Sequence, residues 1–280
     1  SSLGVILAAL AYISVGKLLI AIIIPGLVMA LLYAAYIITR CKLQPSIAPA
    51  YNVALPPLSD RIISTVRYIL PLGVIVFLVI GVIFLGVATP SESAALGAMG
   101  TLFLALAYKR LNWKVLKESL RDTLKISTMV LMIITGSTAF AQILAFTGAT
   151  RGLAELVIGV PLAPIFILIS MQIILLILGM FMEQLSIMMI TIPIYLPIVN
   201  GLGLDSIWFA TIFLLNMEMA VTTPPFGLSL FVMKGVAPPG TTMGDIYKAG
   251  LPFLGCDLIV MALMLAFPVL ALWLPGLMLN

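Results

Sequence analysis

The segments 68–88 and 162–182 contain no aspartate, glutamate, lysine or arginine. Each is as long as the roughly 20 apolar residues that carry a helix across a bilayer. Hydrocarbon offers no partner to a backbone N–H or C=O, so a chain that enters it must satisfy its own polar groups, as a helix does. The fold class that follows is all-α integral membrane. Further apolar segments lie at 3–15, 18–38, 93–108, 126–147, 186–199, 206–233 and 250–274. The longest polar connection, Arg40 to Arg67, holds Pro45, Pro49, Pro56 and Pro57 and reads as a linker between two helical subregions. The first segment is too short to span and starts with the chain. No methionine or signal peptide precedes it, so the expectation is a fragment of a longer polypeptide.

Hydrophobic residues make up 63% of the chain and charged residues 9%. The net charge of +4 is explained by where the basic residues sit relative to a membrane, so no nucleic acid partner is implied. Cys41 ends a helix and Cys256 lies inside an apolar run, which is neither a disulfide framework nor a metal-ligand spacing. Histidine, the commonest metal ligand and proton carrier, is absent. Redox and hydrolytic chemistry are not expected, and the chain does not read as an enzyme.

The sequence TTPPFG, Thr222 to Gly227, interrupts what otherwise reads as one spanning helix from Ser206 to about Met233. Pro224 and Pro225 have no N–H, so the carbonyls of Ala220 and Val221, four residues upstream, lose their helical partners. A free carbonyl in hydrocarbon costs several kcal/mol, roughly, unless protein, water or an ion answers it. The pattern predicts one half-helix ending in exposed oxygens and a second starting with Thr223 as N-cap and Pro225 near its first position. Discontinuous helices of this kind hold ions and anionic substrates in transporters. A packing kink without a ligand is the plainer alternative.

Orientation follows from the basic residues. If the end near Lys17 lies outside, then Arg40, Lys42, Arg61, Arg67, Lys109, Arg110, Lys114, Lys117, Arg121, Lys125, Lys234 and Lys248 lie inside. Of the 14 lysines and arginines only Lys17 and Arg151 then remain outside. The positive-inside rule favours this arrangement, with Asn280 outside. Asn112 to Lys125, with Trp113, Leu116, Leu120 and Leu124 at helical spacing, is expected to lie flat on the inner surface. Ile246 to Leu251 is expected to do the same on a shorter scale. For Lys234 to lie inside, the segments 162–182 and 186–199 must enter and leave on one side. Two full spans and a re-entrant hairpin both satisfy this. The hairpin is favoured by a short second arm broken by Pro193 and Pro197, and by a connection, Gly179 to Ser186, without lysine or arginine. Its tip would place Glu183 and Gln184 near the midplane, where an ionisable group is costly and usually functional.

The stretches GVATPSESAALGA (Gly86 to Ala98), GMFME (Gly179 to Glu183), PIYLPIVNGLGLDSIWF (Pro193 to Phe209) and NMEMAVTTPPFGLSLFV (Asn216 to Val232) resemble the large membrane subunit of tripartite ATP-independent periplasmic (TRAP) transporters. ATPSES by itself also reads as a plain helix start, with Thr89 capping, Pro90 at the first position and Glu92 on the positive end of the dipole. The resemblance implies an elevator-type transporter fold with a re-entrant hairpin and a broken transmembrane helix. It further implies that the chain is the second half of an inverted repeat, starting just after a first double-proline break. On that reading residues 1–44 end the first repeat with a half-helix and a transmembrane helix, and 45–67 form a cytoplasmic linker. Residues 68–160 are scaffold helices with an amphipathic arm at 112–125. Residues 161–236 are the transport-domain hairpin and broken helix, and 237–280 a short surface helix and the last transmembrane helix.

The implied function is sodium-coupled import of a small carboxylate-bearing solute across the bacterial inner (cytoplasmic) membrane. A periplasmic substrate-binding protein would deliver the solute, and a small membrane subunit would assist. No cofactor is expected beyond sodium as coupling ion, a hard cation that takes oxygen ligands. The implied sodium ligands are the carbonyls of Gly179, Ala220 and Val221, the hydroxyls of Thr222 and Thr223, and the carboxylate of Glu183, where many relatives carry aspartate. Substrate-cavity candidates are Ser186, Asn216, Glu218, Phe226 and Gly227. For Asn216 and Glu218 a structural hydrogen bond to a neighbouring helix is the competing role, and Asp257 is expected to pair within the protein. The reading from another class is a non-transporting membrane scaffold or anchor, whose midplane breaks bind nothing. The topology is directly testable: cysteines placed near Lys114 and Lys248 should react with impermeant reagent from the inner side, and those near Arg151 and Asn280 from the outer side. Outer labelling at Lys114 would invert the arrangement.

Overall fold

The computed structural model describes residues 2–45, 57–238 and 240–278. Among them the regular structure is helical: α1 (Ser2–Leu10), α2 (Val15–Ala21), α3 (Ile23–Leu43), α4 (Leu58–Ser64), α5 (Leu70–Phe84), α6 (Pro90–Ala107), α7 (Trp113–Phe146), α8 (Ala149–Ile158), α9 (Pro164–Gly179), α10 (Gln184–Gly201), α11 (Ser206–Thr222), α12 (Leu228–Val236), α13 (Met243–Ala266) and α14 (Val269–Gly276). A π-type turn at Thr65–Ile69 joins α4 to α5. By length and composition, five stretches can cross a membrane: Val15–Leu43, Leu58–Phe84, α7, α10 and α13. The apolar helices α9 and α11 are shorter.

Three expectations about segment ends change. The stretch 113–125 is not a separate surface segment but the first part of α7, a single helix of 34 residues. At 1.5 Å per residue that is about 51 Å, against a hydrocarbon thickness of roughly 30 Å. The charged turns from Lys114 to Lys125 therefore belong to the part beyond the hydrocarbon. Ile246 to Leu251 is likewise continuous with α13, which begins at a capping box of Thr242 and Asp245. Helix also starts at Leu58, inside the expected linker, whose residues 46–56 lie outside the described part.

The chain divides into two compact units. One comprises the residues up to Tyr33 together with Ser127–Gly276. Its centre is α11, on which Phe209, Ile212, Phe213 and Met217 are fully buried. A helix apolar on every side has to be surrounded, and α9, α10, α13 and α2 pack around this one. Proline shapes the surrounding helices. Pro193 removes the N–H that Met189 would use, and Ser137 of α7 donates to that carbonyl at 3.2 Å. Pro268 does the same to Met264, whose carbonyl accepts from Trp208 Nε1 at 2.8 Å, and the helix stops there, so that 250–274 becomes α13 and α14. The other unit contains Ala34–Ile126. In it α6 presses glycines against α5: a Cβ on Gly97 would stand 2.7 Å from Val79 Cγ2, and one on Gly100 3.3 Å from Ile75 Cγ1. Small residues that let helices approach closely are the usual glue where lipid removes any hydrophobic drive. α6 begins with the capping box foreseen at ATPSES, Thr89 N–H donating to Glu92 at 2.7 Å.

The bond from Ser137 gives a double-mutant test. Ser137→Ala should lower thermal stability in detergent by about 1 kcal/mol. In a Pro193→Ala background, where residue 193 regains an N–H for Met189, the same change should cost close to nothing. An equal cost in both backgrounds would show that the serine acts elsewhere.

Candidate functional site

α9 is apolar to its last turn and stops at Gly179, and the chain turns through Met180 to Glu183 before α10 begins. Glu183 is the N-cap of α10, its Oε2 accepting from the N–H groups of Leu185 at 2.9 Å and Ser186 at 3.3 Å. This is a strong cap, because a carboxylate sits on the positive end of the helix dipole. α11 runs to Thr222, and the break continues to Gly227.

One close approach brings the end of α9 onto α11, and a second folds the break on itself. A Cβ on Gly179 would fall 2.2 Å from Ala220 Cβ, so only glycine lets α9 end against α11 here. A Cβ on Gly227 would fall 2.6 Å from the Val221 carbonyl oxygen and 2.8 Å from that of Thr223. The tip is also tied down by a side chain, Gln184 Nε2 donating to the Met217 carbonyl at 2.7 Å. One to two turns back, Asn216 Nδ2 donates to both the carbonyl and the Oε1 of Gln172 on α9, at 2.8 and 3.1 Å. Both residues are buried, and Gln172 Nε2 and Asn216 Oδ1 find no partner.

Between tip and break lies a cavity of about 190 Å³, lined by Gly179, Glu183, Val221 and Phe226 among the residues singled out from sequence, and also by Phe181, Met182, Gln184 and Leu228. Ala220 lies buried under Gly179. Thr222 and Thr223 both donate their hydroxyl protons to the Met219 carbonyl, at 2.9 and 2.7 Å, which leaves their oxygen lone pairs free to accept. Pro225 has no N–H for the Val221 carbonyl. The Ala220 carbonyl is not bare, since Thr223 N–H reaches it at 3.3 Å. Ala220, Thr222 and Thr223 are not among the residues that line the cavity; of the oxygen-bearing groups singled out from sequence, those of Gly179, Val221 and Glu183 belong to its lining residues, and carbonyl and carboxylate oxygens suit a hard cation.

Several placements differ from those read in the sequence. Thr223 closes α11 as its C-cap instead of opening α12, and Gly227 is the N-cap of α12, with Pro225 outside the helix. The reason is local: Thr223 N–H and Oγ1 both turn back to the last turn of α11. Ser186 does not line the cavity, and its N–H is committed to Glu183. Asn216 is the structural residue of the two alternatives, held by Gln172. Glu218 borders a different cavity, of about 240 Å³, with Pro25, Gly26 and Met29. Asp257 accepts from the Tyr33 hydroxyl, a pairing within the protein as expected. Sequence reasoning missed Gln172, although an amide inside the apolar run 162–182 is the signal that would have found it.

A family profile described as tripartite ATP-independent periplasmic transporter, DctM component, matches residues 2–270. The C4-dicarboxylate TRAP transporter large permease protein DctM of Pseudomonas aeruginosa is 34% identical over 276 residues, covering 97% of this chain and 62% of that protein. The sialic acid TRAP transporter large permease protein SiaM of Vibrio cholerae is 31% identical over 271 residues, covering 95% and 61%. The isethionate TRAP transporter permease protein DctMQ of Oleidesulfovibrio alaskensis is 29% identical over 264 residues, covering 94% and 41%. The chain spans about three fifths of the length of the first two relatives.

The contact at Gly179 makes a specific steric prediction. Gly179→Ala should destabilise the protein by roughly 1–3 kcal/mol, because the new methyl overlaps Ala220. Ala220→Gly as a second change should recover part of that loss in the same thermal unfolding assay. If Gly179→Ala is neutral, the tip does not sit on α11.

Proposed function

The chain belongs to the DctM component family of tripartite ATP-independent periplasmic transporters, and we propose that it forms the membrane part of a sodium-coupled secondary transporter importing a small carboxylate-bearing solute. The observation that carries this reading is the meeting of two stretches, the turn after α9 and the TTPPFG break, around one cavity. The proposed sodium ligands are the carbonyls of Gly179, Ala220 and Val221, the hydroxyls of Thr222 and Thr223, and the second oxygen of Glu183. Each threonine proton already points at Met219, so the hydroxyl oxygens serve as acceptors at no cost in hydrogen bonds.

The solute's carboxylate is placed at the N-terminal end of α12. Gly227 caps that helix without a side chain, which leaves the first N–H groups, at Leu228 and Ser229, for an anion. The corresponding end of α10 is already taken by Glu183. A bound sodium and a carboxylate a few ångströms apart would compensate each other's charge where the dielectric constant is low. The relatives' names support an anionic cargo, since dicarboxylates, sialic acid and isethionate are all anions at neutral pH. To the same proposal belong delivery by a soluble binding protein, a small membrane subunit, residence in the bacterial inner membrane with the C-terminus outside, and elevator-type movement of the hairpin-bearing helices.

The test is Thr222→Val with Thr223→Val, which keeps shape and removes the oxygens. In the transporter assembled with its small subunit and binding protein in vesicles, the sodium concentration for half-maximal uptake should rise several-fold. Uptake with an unchanged sodium dependence would return both threonines to closing α11, and no sodium-driven uptake in the parent protein would favour a membrane anchor.

A further inference from the structure

We propose that the solute taken by this site has an apolar body, aliphatic or aromatic, behind its carboxylate, and that Phe181 and Phe226 form the wall that selects it. The proposal rests on the transporter reading and narrows its substrate class. Phe181 comes from the hairpin tip and Phe226 from the break, and their rings meet at 5.7 Å between centroids, tilted by 48°. Phe226 in turn stacks on Phe231 of α12 at 6.3 Å with only 8° between the planes. The three rings form a supported row. Yet Phe181 is 64% and Phe226 57% exposed, while Gly179 and Gly227 beside them are buried. Two large rings from separate elements, fixed by mutual contact and left uncovered over a cavity, are built to receive something.

The rest of the lining decides what. The cavity's other apolar side chains are Met182, Val221 and Leu228, and its two polar side chains are partly committed: Gln184 donates to Met217, and one oxygen of Glu183 caps α10. The lining residues include no lysine, arginine, serine, threonine or asparagine. A polyhydroxylated acid placed there would surrender its hydrating water with only the second N–H of Gln184 as side-chain donor to replace it, which a site rejects. An apolar body loses nothing comparable and gains ring contact and release of water from apolar surface. Its carboxylate then reaches the start of α12, because Leu228, the first residue of that helix, lines the same cavity.

The experiment uses protein purified in detergent with sodium in excess. Melting temperature is followed while phenylacetate, succinate or N-acetylneuraminate is added. Phenylacetate should stabilise the protein at concentrations at least about tenfold below those needed for N-acetylneuraminate, with Phe226→Ala weakening phenylacetate about tenfold and Phe226→Tyr retaining it. Phe181→Ala repeats the measurement from the other element, should Phe226→Ala melt early without ligand. Equal stabilisation by N-acetylneuraminate or succinate, or an unchanged phenylacetate titration in both alanine variants, overturns the aromatic wall. Uptake in vesicles separates this proposal from the one beneath it: sodium-driven uptake without an aromatic preference sinks the wall alone. An aromatic preference without sodium-driven uptake sinks the transporter reading and leaves the wall as a binding site.

Discussion

A proline inside a membrane helix releases the carbonyl four residues before it, and in hydrocarbon that oxygen needs another donor. Four of these released oxygens show how the α11 unit is organised. Met189, before Pro193, takes the Ser137 hydroxyl; Met264, before Pro268, takes the Trp208 indole N–H; Ala220, before Pro224, takes the Thr223 N–H. Each solution ties one helix to another or closes a helix end. Val221, before Pro225, is treated differently. Its neighbour is the backbone of Gly227, which brings no donor side chain, and the residue lines the cavity. Of these four oxygens, that of Val221 is the one beside the candidate cation site.

The surroundings of Val221 are arranged so that this does not cost the fold its integrity. Gly179 allows α9 to end in contact with Ala220, Gln184 holds the turn to Met217, and Glu183 satisfies the first N–H groups of α10. The non-helical turn between α9 and α10 therefore has its polar groups largely met, which is what irregular backbone inside a membrane would require. The proposed function uses the few atoms left over: hydroxyl lone pairs at Thr222 and Thr223, one carboxylate oxygen at Glu183, and two exposed rings.

Much of this was legible because membranes impose long apolar runs and make proline conspicuous. The break at TTPPFG, the two helices on either side of the turn at Gly179 to Glu183 and the capping box at ATPSES follow from residue type alone. Helix ends were less legible. Thr223 and Gly227 are both acceptable caps, and the choice between them turned on Met219, whose carbonyl collects two hydroxyls, a detail set by three-dimensional geometry. The basic stretch before Lys125 has the pattern of a surface helix, and nothing in that pattern says whether it bends away from the span that follows. Asn216 and Glu218 lie two residues apart on one helix, so they point to different sides, one to Gln172 and the other to a separate cavity.

The amide pair Gln172 and Asn216 bears on how the site can move. Each spends one group on the other helix and already leaves one atom unpaired in a buried setting. Screwing α9 by a single residue along α11 would shift Gln172 by about 1.5 Å and turn it by about 100°, stripping Asn216 of both acceptors at once. The register between these two helices is therefore pinned by paired amides, which holds the end of α9 and the end of α11 at one spacing.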